Sequence, residues 1–428
     1  MSGPRLAEQV LLELDERLAD TDAFLARAYP GEDGRRQPVH TVYVAADRYD
    51  VDLPRRWGEQ AAALVAEHGG WAALCREVGV AAELVEAVAE RAEAKLAAEP
   101  IEDLRLDFED GYGPRPDEVE DADAVAVAER LADAFGAAAA PAFVGLRFKC
   151  FEAPTRRRGL RTLDLFLTTL LDRLGTLPDG LVITFPKVST VSQVEAMVTA
   201  CEAYEITSGL PAGRLRFEIQ VETPQLIMGA DGRASVAEAI HAGRGRVTSL
   251  HYGTYDYSAS LQVSAEYQSM EHPVADYAKD VMQVAVAGTG VHLSDGSTNL
   301  VPVGTAENVR TAWRLHHRLV RRSLERAIYQ GWDLHFAQLP TRYIANIAFY
   351  REGFGRAAGR LRAYLTKAGG AVMDEPATAR ALARYLYRGY ACGAVTEAEL
   401  ITAVGLDARR LELLSRPKSD TENVVLGG

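Results

Sequence analysis

The sequence lacks the features that mark export, disulfide bonding or membrane insertion. Its 428 residues include only four cysteines and no CxxC pair, so no disulfide framework is expected. No run of about 18 apolar residues occurs, and the first residues lack the charged-then-apolar layout of a signal peptide. We therefore expect a soluble protein of the reducing cytoplasm.

A net positive charge and several well-known motifs are also missing. The formal net charge of −13 argues against nucleic acid or an anionic membrane surface as a partner, because both require basic patches. There is no HExxH, no Walker loop and no GxSxG motif, and the glycines near Gly288–Gly290 do not form a dinucleotide fingerprint. The enzyme classes that these motifs mark are therefore disfavoured: HExxH metalloproteases, P-loop nucleoside triphosphatases, GxSxG hydrolases and dinucleotide-binding dehydrogenases.

The sequence does contain eight short apolar runs that alternate with helical patterns. Such alternation predicts a closed (β/α)₈ barrel rather than an open sheet. The predicted strands are Val39–Ala46, Leu104–Phe108, Phe143–Phe148, Leu181–Phe185, Leu215–Val221, Val247–Tyr252, Val291–Leu293 and Leu334–Gln338.

Regions outside the minimal barrel predict helical additions. We expect a helical N-terminal arm over residues 1–37 and a barrel over 38–342, with a helical insertion at about 49–100. A C-terminal helical cap or lid is expected over residues 343–415, followed by a flexible tail over 416–428.

Acidic residues follow three of the predicted strands. The run Leu104–Pro114 (LRLDFEDGYGP) ends in acids and glycines, and Glu222 and Asp256 lie 34 residues apart, about one βα unit. Acids at the carboxyl ends of adjacent strands would meet at the face where barrel active sites form. Mg²⁺ prefers such hard oxygen ligands, so a divalent-metal site is one interpretation. The alternative is that each acid is a helix cap or an ion-pair partner.

Other polar residues are predicted to share this face. Arg147 ends the third strand and could bind a carboxylate, stabilise an enolate oxygen, or pair with the nearby acids. Lys187 ends the fourth strand, where ion pairing is favoured over Schiff-base chemistry because carboxylates would keep it protonated. His335 and Gln338 follow the eighth run, and we expect hydrogen-bonding or core roles for them rather than metal ligation.

Taken together, these segments resemble the citrate lyase β-subunit-like superfamily. It includes citramalyl- and malyl-CoA lyases, 2-oxo-acid aldolases and, more distantly, malate synthases. Seven motifs match in order: VYVAADR (Val42–Arg48) is similar to the family's FVPGDR, LDFEDGYGP to DLEDAV, Arg147 to the arginine of RVN, Pro186–Lys187 to PK, Glu222 in VETP to the metal-binding IET, Asp256 in GTYDYSAS to the second ligand of GxxDL, and LHFAQL to IHPxQI.

A further match lies near the C-terminus. VMDEPATARAL (Val372–Leu382) resembles the MIDxP element of the CoA lyases, which caps the active site of a neighbouring subunit and supplies a catalytic aspartate. This resemblance assigns the role to Asp374, whereas alignment with malate synthase assigns it to Glu375. A plain helix N-cap is the structural alternative. The resemblance also implies a homo-oligomer, a dimer or a trimer.

The resemblance implies a Mg²⁺- or Mn²⁺-dependent carbon–carbon lyase or aldolase. Glu222 and Asp256 would hold the metal, Arg147 would stabilise an enolate, and Asp374 would move the proton. Glu109 and Asp110 would orient metal-bound water. The substrate would be a small hydroxy- or oxo-acid, free or as its CoA thioester.

Three alternatives remain open at this point. They are a malate-synthase-like condensing enzyme or thioesterase, a CoA-independent aldolase, and a non-catalytic barrel subunit.

Overall fold

The computed structural model describes residues 6–366 and 375–416, and its centre is one sheet of eight parallel strands. The strands are short and almost fully buried, as expected for parallel strands covered by helices, and several of them carry buried charged side chains such as Arg105 and Glu218. The strands are β1 (Thr41–Ala45), β2 (Asp103–Asp107), β3 (Phe143–Arg147), β4 (Leu181–Phe185), β5 (Phe217–Val221), β6 (Val247–Tyr252), β7 (His292–Ser294) and β8 (Trp332–Asp333).

The sheet closes into a barrel. Its strand order is β7-β6-β5-β4-β3-β2-β1-β8, and a parallel bridge between Ser294 and Gln330 joins the two ends. The predicted (β/α)₈ fold is therefore confirmed.

Sixteen α-helices are described around and beyond the barrel. They are α1 (Glu8–Ala28), α2 (Leu53–Glu67), α3 (Trp71–Glu77), α4 (Val85–Ala98), α5 (Asp117–Gly136), α6 (Arg156–Leu174), α7 (Val191–Thr207), α8 (Pro224–Ile227), α9 (Ser235–Ala242), α10 (Thr254–Ser260), α11 (Pro273–Val286), α12 (Ala306–Glu325), α13 (Leu339–Leu365), α14 (Pro376–Ala391), α15 (Glu397–Val404) and α16 (Ala408–Ser415). Within the described ranges, every helix is too short or too polar to cross a membrane.

The eighth strand differs from its prediction. Leu334–Gln338 was expected to be the strand, but Trp332–Asp333 pairs with β1, and Phe336–Gln338 forms a 3-10 helix. The His335 side chain accepts a hydrogen bond from the Ala337 N–H, and Gln338 Oε1 accepts one from the Leu334 N–H. These two side chains satisfy backbone donors locally, so the chain turns instead of extending.

The N-terminal arm is one long helix, α1, that buries none of its side chains. Several large apolar residues on it are exposed, among them Leu11, Leu18 and Leu25. After α1, the chain crosses the N-terminal end of the barrel, where the Gly31 N–H donates to the Gly288 carbonyl at 2.8 Å. The start of the chain is thus attached at the end of the barrel opposite the carboxyl ends of the strands.

The C-terminal helices pack at the same N-terminal end. Tyr387 Oη lies 3.4 Å from the Gly34 carbonyl, and Arg388 contacts Glu32 at 3.4 Å. Helices α14 and α16 pack with the second half of α13 around a small apolar cluster of their own. The helical C-terminal addition therefore covers the N-terminal end of its own barrel.

Helix α14 runs antiparallel to α13. Tyr385 Oη donates to the Phe349 carbonyl, and Gly389 lies against Tyr350. Because α13 continues for about 15 residues beyond Tyr350, or about 22 Å at 1.5 Å per residue, the start of α14 lies far from the barrel. Glu375, which precedes α14, is therefore distant from the carboxyl ends of its own strands.

Candidate active site

Four carboxylates gather at the carboxyl ends of the strands. Glu109 and Asp110 follow β2, Glu222 follows β5, and Asp256 lies in the first turn of α10, just after β6. Glu222 is only 2% exposed, whereas the Asp256 side chain is 47% exposed. The acids predicted from the strand ends thus share one face, with Glu222 at its floor and Asp256 at its rim.

Arg147 is fixed in this face by Asp107. The two residues end adjacent strands in register, and Arg147 Nε and Nη2 donate to the two Asp107 carboxylate oxygens, each at 2.7 Å. Asp107 also accepts the N–H groups of Glu109 and Gly111 at 2.9 and 2.8 Å. The guanidinium lies 5.0 Å from the ring centroid of Tyr43. The remaining guanidinium nitrogen, Nη1, lies 3.3 Å from Glu109 Oε2.

Lys187 lies between the acids. Its Nζ is 2.5 Å from Glu109 Oε1, 2.8 Å from Asp110 Oδ1 and 3.5 Å from Asp256 Oδ2. Its backbone has a φ of 51°, a conformation that non-glycine residues seldom adopt, and its N–H donates to Glu222 Oε2 at 3.1 Å. Burial acts to lower the pKa of Lys187, but Glu109 and Asp110 outweigh burial and raise that pKa above its ordinary value. Lys187 is therefore an ammonium ion, and the ion-pair interpretation agrees with the geometry.

Glu222 and Glu109 hold their protons more tightly than ordinary carboxyl groups do. Burial raises the pKa of Glu222 to about 8, and the nearby Glu109 and Asp256 carboxylates add to the effect. Burial likewise raises the pKa of Glu109 to about 7, with a contribution from Asp110. Glu109 Oε2 is buried and makes no hydrogen bond to the residues described. These properties show excess negative charge in a site that only partly neutralises it.

The absence of a side chain at Gly253 makes room for Glu222. A Cβ at Gly253 would lie 2.2 Å from Glu222 Cγ and 2.7 Å from Glu222 Oε1. Its φ of −98° is accessible to any residue, so close packing is the reason that glycine is needed here.

The donor set suits a hard divalent cation. In residues 6–366 and 375–416, no group of three or more His, Cys, Asp or Glu side chains is arranged to hold a metal ion. Mg²⁺ needs only one or two protein carboxylates and completes its coordination with water and substrate oxygens. Glu222 and Asp256 supply such a pair, and Glu109 lies beside them, ion-paired with Arg147 and Lys187. The residues present therefore fit the predicted ion.

The other predicted residues lie elsewhere or outside the described chain. His335 accepts from the Ala337 N–H and contacts Trp57 and Phe336, and Gln338 Nε2 donates to the Thr298 carbonyl at 3.2 Å. Their contacts organise the turn after β8, and a substrate-binding role for them stays a prediction. Asp374 lies outside the described residues, as do residues 417–428 of the predicted tail.

Comparison with known proteins identifies the family. A family model described as "Domain of unknown function (DUF6986)" matches residues 18–419. The chain belongs to the DUF6986 family. No curated protein matches it.

Solved structures similar to this DUF6986 member include lyases and malate synthases. A citrate lyase from Burkholderia xenovorans LB400 is 18% identical, with a TM-score of 0.54, over 86% of this chain and 96% of that one. A malate synthase from Haloferax volcanii, in a magnesium and glyoxylate complex, is 14% identical, with a TM-score of 0.49, over 88% and 98%. At these identities the similarity shows the fold alone.

Proposed function

We propose that this protein is a metal-dependent carbon–carbon lyase or aldolase that acts on a small hydroxy- or oxo-acid through an enolate. The observation that carries the proposal is the arrangement at the carboxyl ends of the strands. There, Arg147 and Lys187 face Glu109, Glu222 and Asp256 around a partly neutralised acidic floor. The same groups would serve cleavage and the reverse condensation.

Arg147 would bind the anionic oxygen that forms during the reaction. Two of its nitrogens are engaged by Asp107, which fixes the plane of the guanidinium and leaves Nη1 directed at the acids. A donor held in place before the reaction stabilises developing charge without reorganisation. Arg147 would thus bind the carboxylate or enolate oxygen, and Asp107 would orient it.

Glu222 and Asp256 would hold Mg²⁺ or Mn²⁺. When bound, the ion would act as a Lewis acid that polarises the oxygens of the substrate. Lys187 would keep Glu109 and Asp110 in place, and Glu109 would orient water near the ion.

The proton-moving carboxylate would come from a second copy of the chain. Glu375 lies at the far end of the α13–α14 hairpin, on the N-terminal side of its own barrel. The adjacent Asp374 remains our candidate for the group that moves the proton. Because one chain places Glu375 far from its own acids, the proposal requires a homo-oligomer in which this end of α14 reaches a neighbour's barrel.

Metal binding is the first test. Calorimetry with Mg²⁺ and Mn²⁺ should show binding to the wild type, with strong losses in Glu222→Gln and Asp256→Asn. Asp231→Asn, which removes an exposed acid beyond the site, is the matched control and should bind normally. Equal affinity in all four proteins would exclude the proposed metal site.

The substrate is the second test. A thermal-shift screen should combine Mg²⁺ with oxalate, pyruvate, glyoxylate, oxaloacetate and acetyl-CoA, because a ligand of the folded state raises its apparent stability. Ligands that pass should then be assayed for deuterium exchange at the enolisable carbon. Binding without exchange or turnover in the oligomer would instead support a non-catalytic barrel subunit.

A further inference from the structure

A second cavity lies at the opposite end of the barrel from the acidic site. Its volume is about 1020 Å³, and it is enclosed by the end of α1, the residues before β5 and β7, the end of α9 and the end of α16. Its charged lining is mostly basic, with Arg27, Arg35, Arg216, Arg244 and Arg416 against Glu32 and Asp33. This is a local excess of positive charge in a chain whose net charge is −13.

Arg216 is the least compensated of these arginines. It is half-buried just before β5, and its guanidinium has no hydrogen-bond or ion-pair partner among the residues that the structure describes. The acids of the cavity are paired with other arginines: Asp33 binds Arg35 within the cavity at 2.5 Å, and Glu32 lies 3.2 Å from Arg384. A partly buried charge without a partner is costly, and an arriving anion would remove that cost.

Burial and neighbouring arginines lower the pKa values of two groups at this end of the barrel, and Asp33 acts in the opposite direction on both. Burial lowers the pKa of Arg216, and the neighbouring Arg35 lowers it further. Burial also lowers the pKa of His292 to about 4, with Arg388 and Arg35 acting in the same direction. His292 begins β7, next to Val291 of the cavity lining.

The cavity also has an apolar wall. Phe24 of α1, Ile240 of α9, Val247 of β6 and Leu413 of α16 line it. A cavity of this size accommodates a small organic molecule rather than an ion alone. The pattern is thus a cluster of guanidinium groups beside an apolar surface.

We propose that this cavity binds a small phosphate-bearing organic anion, with the phosphate on Arg216 and Arg35 and the organic part against the apolar wall. Guanidinium groups match phosphate oxygens in a two-donor geometry, which favours phosphate over a spherical anion. A cavity at the N-terminal end is not needed for the chemistry, because barrel active sites form at the other end. The ligand would contact the N-terminal arm, the barrel and α16, far from the reacting atoms. Its role is therefore that of an effector.

Calorimetry with the full-length protein tests this site without any need for activity. The probes are inorganic phosphate, pyrophosphate and AMP, with sodium chloride at matched ionic strength as the reference. The wild type should bind AMP more tightly than phosphate, because only AMP uses the apolar wall. Arg216→Met should weaken AMP binding at least about tenfold, as expected for loss of a charge-assisted contact.

Two controls separate binding from folding. Arg233→Met removes an arginine whose side chain is 82% exposed in the loop before α9, and it should bind AMP as the wild type does. Thermal unfolding of Arg216→Met without ligand should be unchanged or shifted upwards, because the substitution removes an unpaired, half-buried charge. Equal AMP affinity in wild type and Arg216→Met, or no binding of any probe at millimolar concentration, would overturn the proposal.

Discussion

Replacing Gly253 by alanine should displace Glu222 without altering the backbone. The added Cβ would lie 2.2 Å from Glu222 Cγ, whereas carbon atoms in contact are about 3.5–4.0 Å apart. Glu222 must therefore move by about 1.3 Å or more. The movement would break the 3.1 Å hydrogen bond from the Lys187 N–H to Glu222 Oε2.

Two effects of different size should follow. Crowding a closely packed position typically costs about 1–3 kcal/mol, so the protein should be destabilised but folded. Metal sites tolerate much smaller displacements than 1 Å, so affinity for Mg²⁺ or Mn²⁺ should fall by about 10–100-fold. The loss of affinity should therefore be much clearer than the loss of stability.

Urea unfolding and metal calorimetry measure the two effects separately. Gly355→Ala is the matched control, because Gly355 lies on an exposed face of α13 and its added Cβ would meet nothing within 4 Å. That control should gain about 0.5–1 kcal/mol of stability, as alanine does in a helix, and should keep its metal affinity.

One result would refute the reasoning. If Gly253→Ala binds metal as tightly as Gly355→Ala does, then the position of Glu222 does not determine the metal site. A loss of stability without a loss of affinity would have the same consequence, because it would show that Glu222 moved and the ion did not depend on it.

Three further predictions concern charge and assembly. In metal-free protein, the pKa of about 8 at Glu222 means that the folded state holds a proton that the unfolded state releases above about 4.5, so stability should fall as pH rises from 4.5 to 8. Glu222→Gln should remove that part of the fall in urea unfolding at pH 5.5 and 8.5, and an unchanged slope would contradict the assignment. Arg147→Lys should retain the fold and metal binding but lose most turnover, because an ammonium cannot replace the two-donor fork on Asp107; wild-type kinetics would make Arg147 purely structural. Light scattering should show a homo-oligomer, and mixing inactive Asp374→Asn with inactive Arg147→Lys should restore turnover. If Glu375→Gln is the inactive variant and Asp374→Asn is active, the malate synthase alignment is the correct one.

The barrel could be predicted because its strands are local apolar runs separated by helical patterns. Leu181–Phe185 and Val247–Tyr252 were predicted to the residue. The eighth strand was misplaced because two side chains, those of His335 and Gln338, satisfy backbone groups and stop the chain from extending. Such side-chain bonds depend on three-dimensional placement, and an apolar pattern does not contain them.

The clustering of charged residues at one face of the barrel could be predicted, but most of the contacts among them could not. Glu222, Asp256, Arg147 and Lys187 could be recognised because each follows a strand. The pairing of Arg147 with Asp107 was one of the alternatives drawn from the sequence, and the structure shows it between the level ends of β2 and β3. The contact of Gly253 with Glu222 had no local signal, because it joins the ends of two different strands.

The direction of α14 could not be predicted either, and it has the largest consequence for function. The C-terminal helical region was expected to cap the barrel mouth of a neighbouring subunit, and within one chain α14 packs at the N-terminal end of its own barrel because α13 carries it there. The apolar residues on α13 and α14 that form this hairpin specify packing, not which end of the barrel they reach. A catalytic group near the start of α14 would therefore need a second chain, and the end of α1 and Arg216 line a cavity at that same N-terminal end. Assembly of the active site and the proposed effector site would then share one part of the molecule, which makes oligomerisation the natural route by which an anion could influence the chemistry.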